Sequence, residues 1–328
     1  MRMNWKAICA SLVASGALAL AACGQETEAE SDAANGHVAG QIGDIAGTGP
    51  NSAIAQARED APQYTFYRQA ELPDEPLPLV LWGNGGCRDN GLSASHFLRE
   101  IASNGYIVIA NGTQGEEREV LESLPTAEEI AQAAPPPPHE RTPDETSVEQ
   151  LLAAITYAEG VNADPKDELA GHIDTQRIAV MGHSCGGLQA LSAGTDPRID
   201  TVIAFASGVY NRPNTGLSGV HITKDDLARL HAPMAYVLGG PTDIAFENGS
   251  DDFERIDHIP VVLANQDVGH GGTFALANGG DWAQFGVQWL DWQLKGSETA
   301  ARRFVGEDCG YCTKEAWTFE RKNFPQDQ

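Results

Sequence analysis

Basic residues are scarce in this chain. Its 328 residues include 21 Lys and Arg against 46 Asp and Glu, so the formal net charge is −25 at pH 7. A surface of this sign repels the phosphate backbone of nucleic acids and anionic lipid headgroups. The composition therefore argues against a protein that binds nucleic acid.

The apolar run at the N-terminus is too short to cross a bilayer. It covers residues 7–22, follows a positive stretch that contains Arg2 and Lys6, and ends in the tetrapeptide LAAC at 20–23. This pattern is typical of a secretory signal peptide, here residues 1–22, and its end resembles a bacterial lipobox. We expect cleavage before Cys23 and lipidation of that cysteine. The alternative is an ordinary secretory signal followed by a chance cysteine.

The same features predict a location. A lipidated Cys23 would anchor the protein to a membrane of the bacterial cell envelope, facing the periplasm. Because Gly24 rather than an aspartate follows the cysteine, the outer membrane is favoured. The acidic stretch that begins the N-terminal extension, residues 23–60, is typical of a flexible tether.

Cysteine is also infrequent, with six residues in the chain. Cys9 is removed with the signal and Cys23 carries the lipid, which leaves four in an oxidising compartment where disulfides form. We expect a structural disulfide between Cys309 and Cys312 in the C-terminal tail, residues 297–328. A redox-active pair is the alternative, disfavoured because no βαβ pattern places these cysteines at the start of a helix.

Internal repeats and signs of a second domain are absent from the body of the chain, residues 61–296. Apolar strand-like runs alternate there with helical patterns, which favours a single α/β domain with a mostly parallel sheet and helices on both faces. The predicted strands span 64–69, 77–82, 106–110, 178–181, 201–205, 234–238 and 259–264. The predicted helices span 95–103, with Ser95 as a cap, 147–159 and 282–294.

One segment, residues 114–146, departs from this alternation. It is rich in glutamate and proline, includes four consecutive prolines at 135–138, and is far longer than a typical connection. Residues 116–134 have the composition of a short helix, whereas the prolines favour an extended spacer. The segment leaves the carboxyl end of a strand, so it is either part of a lid over the site there or a solvated insertion without a role.

The pentapeptide GHSCG at 182–186 is the strongest motif in the chain. It follows the apolar run 177–181 and leads into a helical stretch at 187–193. This strand–turn–helix context is typical of a nucleophile elbow, in which glycines allow a tight turn that lifts the serine above the carboxyl edge of a sheet. We therefore predict that Ser184 is the nucleophile. Cys185 is the alternative, disfavoured because the elbow exposes the serine.

A serine hydroxyl needs a general base, and a histidine oriented by a carboxylate supplies it. After such an elbow the chain order is serine, acid, histidine, with each residue at the carboxyl end of a strand. His270 meets this condition, because it follows the predicted strand 259–264 in a glycine-rich loop. The other histidines after Ser184 precede a strand or precede any plausible acid: His221, His231 and His258.

The predicted acid is Asp243, which follows the strand 234–238 through a Gly-Gly-Pro turn. Asp267, at the end of the strand before His270, is the second candidate. Asp251 and Asp252 fall at the start of the next helix, where carboxylates stabilise the helix N-terminus, so we interpret them as caps.

The oxyanion formed in acyl transfer needs two hydrogen-bond donors. One is expected to be the amide of Cys185, and the other to come from the glycine-rich loop after the strand 77–82, from Gly86 or Cys87. If both amides point at one oxygen, Cys87 and Cys185 lie within disulfide range. We hypothesise that they are bonded and brace the loop against the elbow, with two free buried thiols as the alternative.

Together these pieces resemble the α/β-hydrolase fold, and within it the group of dienelactone hydrolases, platelet-activating-factor acetylhydrolases and cutinase-like polyester hydrolases. The resemblance extends over 64–294 and is carried by WGNGG at 82–86, MGHSCGG at 181–187, GPTD at 240–243 and GHGG at 269–272. It implies hydrolysis of a small or polymeric carboxylic ester through an acyl-serine, with no metal or organic cofactor. The insertion 114–146 and the tail after residue 295 depart from the group.

Other functions stay open at this point. The same three side chains serve peptidases and acyltransferases, and the fold also occurs in proteins without catalytic activity, here an envelope lipoprotein. A redox role for Cys309 and Cys312 is a further alternative. The resemblance fixes neither the acyl nor the alcohol group of the substrate, and the sequence does not predict an oligomeric state.

Overall fold

The computed structural model describes residues 38–126, 145–211 and 220–324. The predicted signal peptide, the lipidation site Cys23 and residues 127–144 of the insertion lie outside the described residues. From Ala39 onward, the described residues form one compact unit. None of the described helices has the length and apolar character that crossing a membrane requires.

The described strands form one sheet. In chain order they are β1 (Gln41–Ala46), β2 (Ala53–Ala57), β3 (Tyr64–Gln69), β4 (Leu77–Gly83), β5 (Ile107–Asn111), β6 (Ile173–His183), β7 (Thr201–Phe205), β8 (Met234–Leu238), β9 (Val261–Asn265) and β10 (Thr318–Lys322).

The described helices alternate with these strands. They are α1 (Ser95–Ser103), α2 (Val148–Ala163), α3 (Cys185–Ala193), α4 (Phe246–Arg255), α5 (Gly280–Lys295) and α6 (Glu298–Ala301). Short 3₁₀ turns occur at Gly85–Cys87, Lys224–Arg229 and Ala277–Gly279.

The strand order across the sheet is β1-β2-β3-β5-β4-β6-β7-β8-β9-β10. The strands β4 to β9 run parallel to their neighbours in this central block, whereas β1, β2 and β3 on one edge and β10 on the other pair antiparallel. Parallel neighbours need crossover connections; helices α1 to α4 lie in four of them, and the described part of the connection from β7 to β8 contains the 3₁₀ turn at 224–229. The mostly parallel α/β sheet predicted from the sequence is therefore confirmed.

Both faces of the sheet are buried under helices. Leu79 and Leu81 of β4 face the layer that contains α2 and α3, and Val80 and Trp82 face the layer that contains α1 and α5. Successive side chains of a strand point to opposite faces, so a strand buried on both faces must be apolar at nearly every position. This is why the central strands are the ones that the sequence reveals most clearly.

The edges of the sheet differ from the sequence prediction. β1 and β2 lie within the N-terminal extension 23–60, and β10 lies within the tail 297–328, where no strand was predicted. The outermost strands, QIGDIA and TFERK, are half solvated and lack a continuous apolar run. Backbone pairing with a neighbour stabilises such strands, and their side-chain pattern is correspondingly weak.

The C-terminal tail packs on the layer that contains α1 and α5. Phe304, Tyr311 and Trp317 are buried in that layer. The predicted disulfide between Cys309 and Cys312 is present within this tail, with the two Cα atoms 5.0 Å apart. The tail is thus joined to the sheet by an aromatic cluster as well as by β10.

The three predicted helix caps, Ser95, Asp251 and Asp252, are wrong. Ala94 rather than Ser95 precedes the first turn of α1, and the Ser95 hydroxyl donates instead to the Glu117 carboxylate, 2.6 Å away. Asp251 and Asp252 lie in the second half of α4 instead of at its start. Asp252 is fully buried, which a cap at a solvated helix end is not.

The described part of the insertion lies against the body of the protein. No helix forms over 116–126, so the predicted helix 116–134 is wrong for the residues that the structure describes. Glu117 forms an ion pair with Arg99 of α1, and Leu121 pairs with Leu276 in an isolated bridge. These contacts hold the start of the insertion beside the loop that follows β9.

Candidate active site

Ser184 occupies the tight turn between β6 and α3. Its φ of 55° is in the left-handed region that residues with a side chain rarely adopt. Such a conformation costs about 1–3 kcal/mol and persists only where the surrounding structure holds it. The turn therefore fixes the hydroxyl at the carboxyl end of β6.

Two glycines allow this turn. A Cβ atom on Gly186 would lie 2.1 Å from the carbonyl carbon of Gly83, and a Cβ atom on Gly182 would lie 2.1 Å from the carbonyl oxygen of Gly186. Both distances are far shorter than any contact between real atoms. Only glycine lets the end of β4 touch the start of α3 in this way.

The structure brings together the three side chains that the sequence nominates. The Nε2 atom of His270 lies 2.9 Å from the Oγ atom of Ser184. The Nδ1 atom of the same ring lies 2.6 Å from Oδ1 of Asp243. An ionised carboxylate only accepts hydrogen bonds, so Nδ1 carries the proton and Nε2 is left to accept the serine proton.

Asp243 is buried and held ionised. Its carboxylate accepts hydrogen bonds from the amides of Gly239 and Ala245, both at 2.9 Å, in addition to the His270 ring. Burial raises the pKa of the Asp243 carboxyl, but the hydrogen bonds from His270 and from the two amides outweigh it and place the pKa below its ordinary value. A carboxylate in this state orients the imidazole and stabilises its protonated form.

The other candidates for acid and base lie elsewhere. Asp267 is exposed and makes no hydrogen bond to His270 in the described part of the structure. His221, His231 and His258 are exposed, and the ring of His258 donates to the Leu230 carbonyl instead. The choice of Asp243 and His270 thus agrees with the geometry.

The amides expected to bind an oxyanion differ in whether they already have an acceptor. The amide of Cys185 begins α3, where it has no acceptor within the helix. The amide of Cys87 donates to the Asn84 carbonyl at 3.0 Å within its own turn. This amide is therefore not free to bind an oxyanion. Of the two candidates for the second donor this leaves Gly86, whose φ is 69°.

The predicted disulfide between Cys87 and Cys185 is present, with the Cα atoms 5.2 Å apart. It joins the loop after β4 to the residue that follows Ser184. The Cys87 carbonyl also accepts hydrogen bonds from the amides of Glu145 and Thr146, both at 3.0 Å. Gln189 of α3 donates in turn to the Thr146 carbonyl at 2.9 Å. The loop that carries Gly86 is therefore fixed to α3 both covalently and by hydrogen bonds.

His183 is a site residue that the sequence analysis did not nominate. Its Nε2 atom donates to the backbone carbonyl of His270 at 2.8 Å. Burial and the neighbouring His270 ring lower the pKa of His183 to about 3, so the ring is neutral and this nitrogen carries the proton. His183, the second residue of the GHSCG motif, thus holds the backbone of His270 through a tertiary contact that the sequence pattern does not show.

A cavity of about 310 Å³ opens beside Ser184 and His270. Apolar residues such as Leu188 and Ile244, which is 78% exposed at the rim, share its wall with polar residues such as Glu247. The volume is at the lower end of the range for small-molecule sites. A short organic chain attached to a reacting carbonyl fits this space.

The described residues contain no group of three or more His, Cys, Asp or Glu side chains that could hold a metal ion. A scan against protein-family models found no match for the chain, and a search of the curated proteins found no match either.

Replacing glycine by alanine should have opposite effects on stability at the contact between β4 and α3 and at an open position in α2. Gly186→Ala should lower the free energy of unfolding by about 1–3 kcal/mol, because its Cβ meets the backbone of Gly83. Gly160→Ala should raise it by about 0.5–1 kcal/mol, since Gly160 lies in α2 with no atom within 4 Å of the added Cβ. Urea unfolding measures both. Equal changes in the two variants would contradict the steric account.

The two disulfides close loops of very different length, which predicts unequal contributions to stability. Cys87 and Cys185 are 98 residues apart, whereas Cys309 and Cys312 are 3 residues apart. From loop entropy alone, replacing both cysteines by alanine should cost about 5 kcal/mol for the first pair and about 2 kcal/mol for the second. Guanidinium unfolding of the two double variants compares them. A larger loss for the 309–312 pair would be inconsistent with this ranking.

Proposed function

We propose that this protein is a serine hydrolase of the α/β-hydrolase fold that cleaves carboxylic esters through an acyl-serine intermediate. The observation that carries the proposal is the unbroken chain of hydrogen bonds from Ser184 through His270 to the buried Asp243, at 2.9 and 2.6 Å. The order serine, acid, histidine, at the carboxyl ends of β6, β8 and β9, further supports it.

Acylation begins when His270 Nε2 accepts the proton of Ser184 Oγ and the oxygen attacks the ester carbonyl carbon. The imidazolium that forms is stabilised by the Asp243 carboxylate. The negative charge on the former carbonyl oxygen is stabilised by the amides of Cys185 and Gly86, and losing one such donor typically costs about 3 kcal/mol in the transition state. The intermediate then expels the alcohol, which takes its proton from His270.

Deacylation repeats these steps with water in place of the serine. His270 accepts a proton from the water as its oxygen attacks the acyl carbon, and the same two amides stabilise the second oxyanion. Collapse releases the carboxylic acid and returns the proton from His270 to Ser184 Oγ. The enzyme ends unchanged, and no proton acceptor outside the three side chains is needed.

The apolar part of the cavity wall, which includes Leu188 and Ile244, favours a substrate with an uncharged organic chain, whether a small ester or the end of a polymer. We further propose, from the sequence alone, that a lipid on Cys23 anchors the enzyme to the cell envelope. That cysteine lies outside the described residues.

Covalent labelling tests the nucleophile. A fluorophosphonate probe should label the wild-type protein, and Ser184→Ala should abolish both labelling and hydrolysis of p-nitrophenyl butyrate, because it removes the hydroxyl that is hydrogen-bonded to His270. Ser192→Ala, on the same helix, is the matched control and should retain both. Labelling that persists without Ser184 would refute the assignment.

The same assay separates the proposed reaction from the alternatives. Turnover of short esters without cleavage of peptides supports an esterase, whereas cleavage of peptides alone would show a peptidase. Ester-dependent acylation of an added alcohol in preference to water would show an acyltransferase. No labelling of folded wild-type protein would point to a non-catalytic role.

Because Asp243 is buried against His270, replacing its carboxylate by an amide of the same shape should lower kcat strongly. Asp243→Asn should lower kcat by about four orders of magnitude, since a neutral amide allows the wrong imidazole tautomer and no longer stabilises the imidazolium. Asp267→Asn is the matched control, because Asp267 was the second candidate and is exposed. Steady-state kinetics should show less than a twofold change for the control. Comparable losses in both variants would show that neither carboxylate acts specifically.

A further inference from the structure

The segment 206–211, called the wall segment below, lines the cavity beside Ser184. It begins with Ala206, whose φ of 43° is in the left-handed region that residues with a side chain rarely adopt. Backbone strain of this kind persists only where surrounding contacts hold it. The contacts of the wall segment therefore decide where this side of the cavity lies.

The two ends of the wall segment are fixed to different elements. At one end, the Ser207 hydroxyl donates to the backbone carbonyl of Ser184 at 2.8 Å. At the other end, the Asn211 amide donates to the side-chain oxygen of Asn248 in α4 at 3.1 Å. The wall segment thus connects the nucleophile turn with α4.

The middle of the wall segment is held by one buried carboxylate. The Val209 amide donates to Oδ2 of Asp252 at 2.7 Å, and the Tyr236 hydroxyl donates to the same oxygen at 3.1 Å. Lys224 Nζ lies 2.6 Å from Oδ1 of Asp252 and also donates to the Asn248 carbonyl at 3.0 Å. Asp252 therefore joins the wall segment, β8, α4 and the 3₁₀ turn at 224–229.

The environment keeps this carboxylate charged at neutral pH. Burial raises the pKa of Asp252, the ion pair with Lys224 and the hydrogen bonds from Val209 and Tyr236 lower it, and the net result is a pKa of about 6. Burying an ion pair is weak evidence for a role in stability, because apolar side chains of the same size often serve as well. An apolar side chain, however, could not accept the hydrogen bond from the Val209 amide.

We propose that Asp252, acting through the Val209 amide, is a positioning residue that fixes the wall of the ester-binding cavity and so sets the length of the chain that this cavity accepts. The proposal rests on the proposed function, since it concerns substrate choice at the same site. Without the carboxylate, the strained wall segment loses its central contact and moves outward. Short chains then lose contacts with the wall, and longer chains gain room.

Steady-state kinetics on two ester series tests this, one varying the acyl chain and one varying the alcohol chain from two to eight carbons. For Asp252→Ala we expect KM for the shortest esters to rise at least fivefold and kcat to stay within twofold. In the series whose chain occupies the cavity, the preference should shift toward longer chains. Asp252→Asn should restore most of the wild-type selectivity, because its amide oxygen still accepts from Val209.

Asp251→Ala is the matched control. Asp251 is the neighbouring residue in α4, and it pairs with Arg255 and Lys224 on the outer side without touching the wall segment. Its kinetics should match those of the wild type. The same shift in Asp251→Ala, or unchanged selectivity in both series for Asp252→Ala, would overturn the proposal.

A measurement that does not depend on catalysis keeps the two proposals separable. Amide hydrogen exchange at Val209 should be at least tenfold faster in Asp252→Ala than in the wild type, with β6 and β8 still protected. If Asp252→Ala does not fold, Asp252→Asn in the same experiment should show an intermediate rate. If exchange at Val209 is faster in Asp252→Ala but the wild type hydrolyses no ester, the positioning role of Asp252 is supported and the proposed esterase function is rejected. Unchanged exchange would reject the positioning role even in an active esterase.

Discussion

The site depends on the contact between two backbone segments, Gly83 at the end of β4 and Gly186 at the start of α3. No side chain separates them, and a single methyl group at Gly186 would collide with the Gly83 carbonyl. This approach brings the loop after β4 beside the turn that holds Ser184, where the Cys87–Cys185 disulfide joins the two. An oxyanion site made of backbone amides requires this proximity, because amides cannot reach across a gap as side chains do.

A second set of contacts positions His270 and Asp243, the proposed base and acid. The Asp243 carboxylate is fixed by the amides of Gly239 and Ala245 and orients His270 through Nδ1. The backbone of His270 is held separately by the neutral ring of His183. The imidazole is thus positioned from both its side chain and its main chain, and its Nε2 atom needs no rearrangement to reach Ser184. Such preorganisation is where catalytic sites gain most of their effect.

The sequence predicted the parts of the molecule that obey strong local rules. Central strands buried on both faces must be apolar throughout, so β4, β5, β7 and β8 were found nearly to the residue. Ser184, Asp243 and His270 followed from one topological rule, that such residues lie at the carboxyl ends of strands. The outermost strands β1 and β10 were not predicted, because pairing with a neighbour rather than side-chain pattern stabilises them, and β2 was not predicted because its sequence, AIAQA, is rich in alanine, which has little preference for strands.

What the sequence did not predict depends on contacts between distant residues. Asp252 has the local pattern of a helix cap, but its partners Lys224 and Val209 are 28 and 43 residues away, and only the folded chain shows that it is buried among them. The choice between Gly86 and Cys87 stayed open for a similar reason, since it depends on which amide the turn itself uses. The role of His183 was not predicted for the same reason, because it depends on the contact of its ring with the His270 carbonyl in the loop after β9.

The most direct test of the central claim is to trap the acyl-enzyme. Rapid mixing of the protein with a p-nitrophenyl ester, an acid quench within the burst phase and mass analysis of the digested protein locate the acyl group. The account predicts one acyl adduct, on the peptide that contains Ser184, in an amount equal to the burst of p-nitrophenol. An adduct on another residue, or turnover without any adduct, would contradict it.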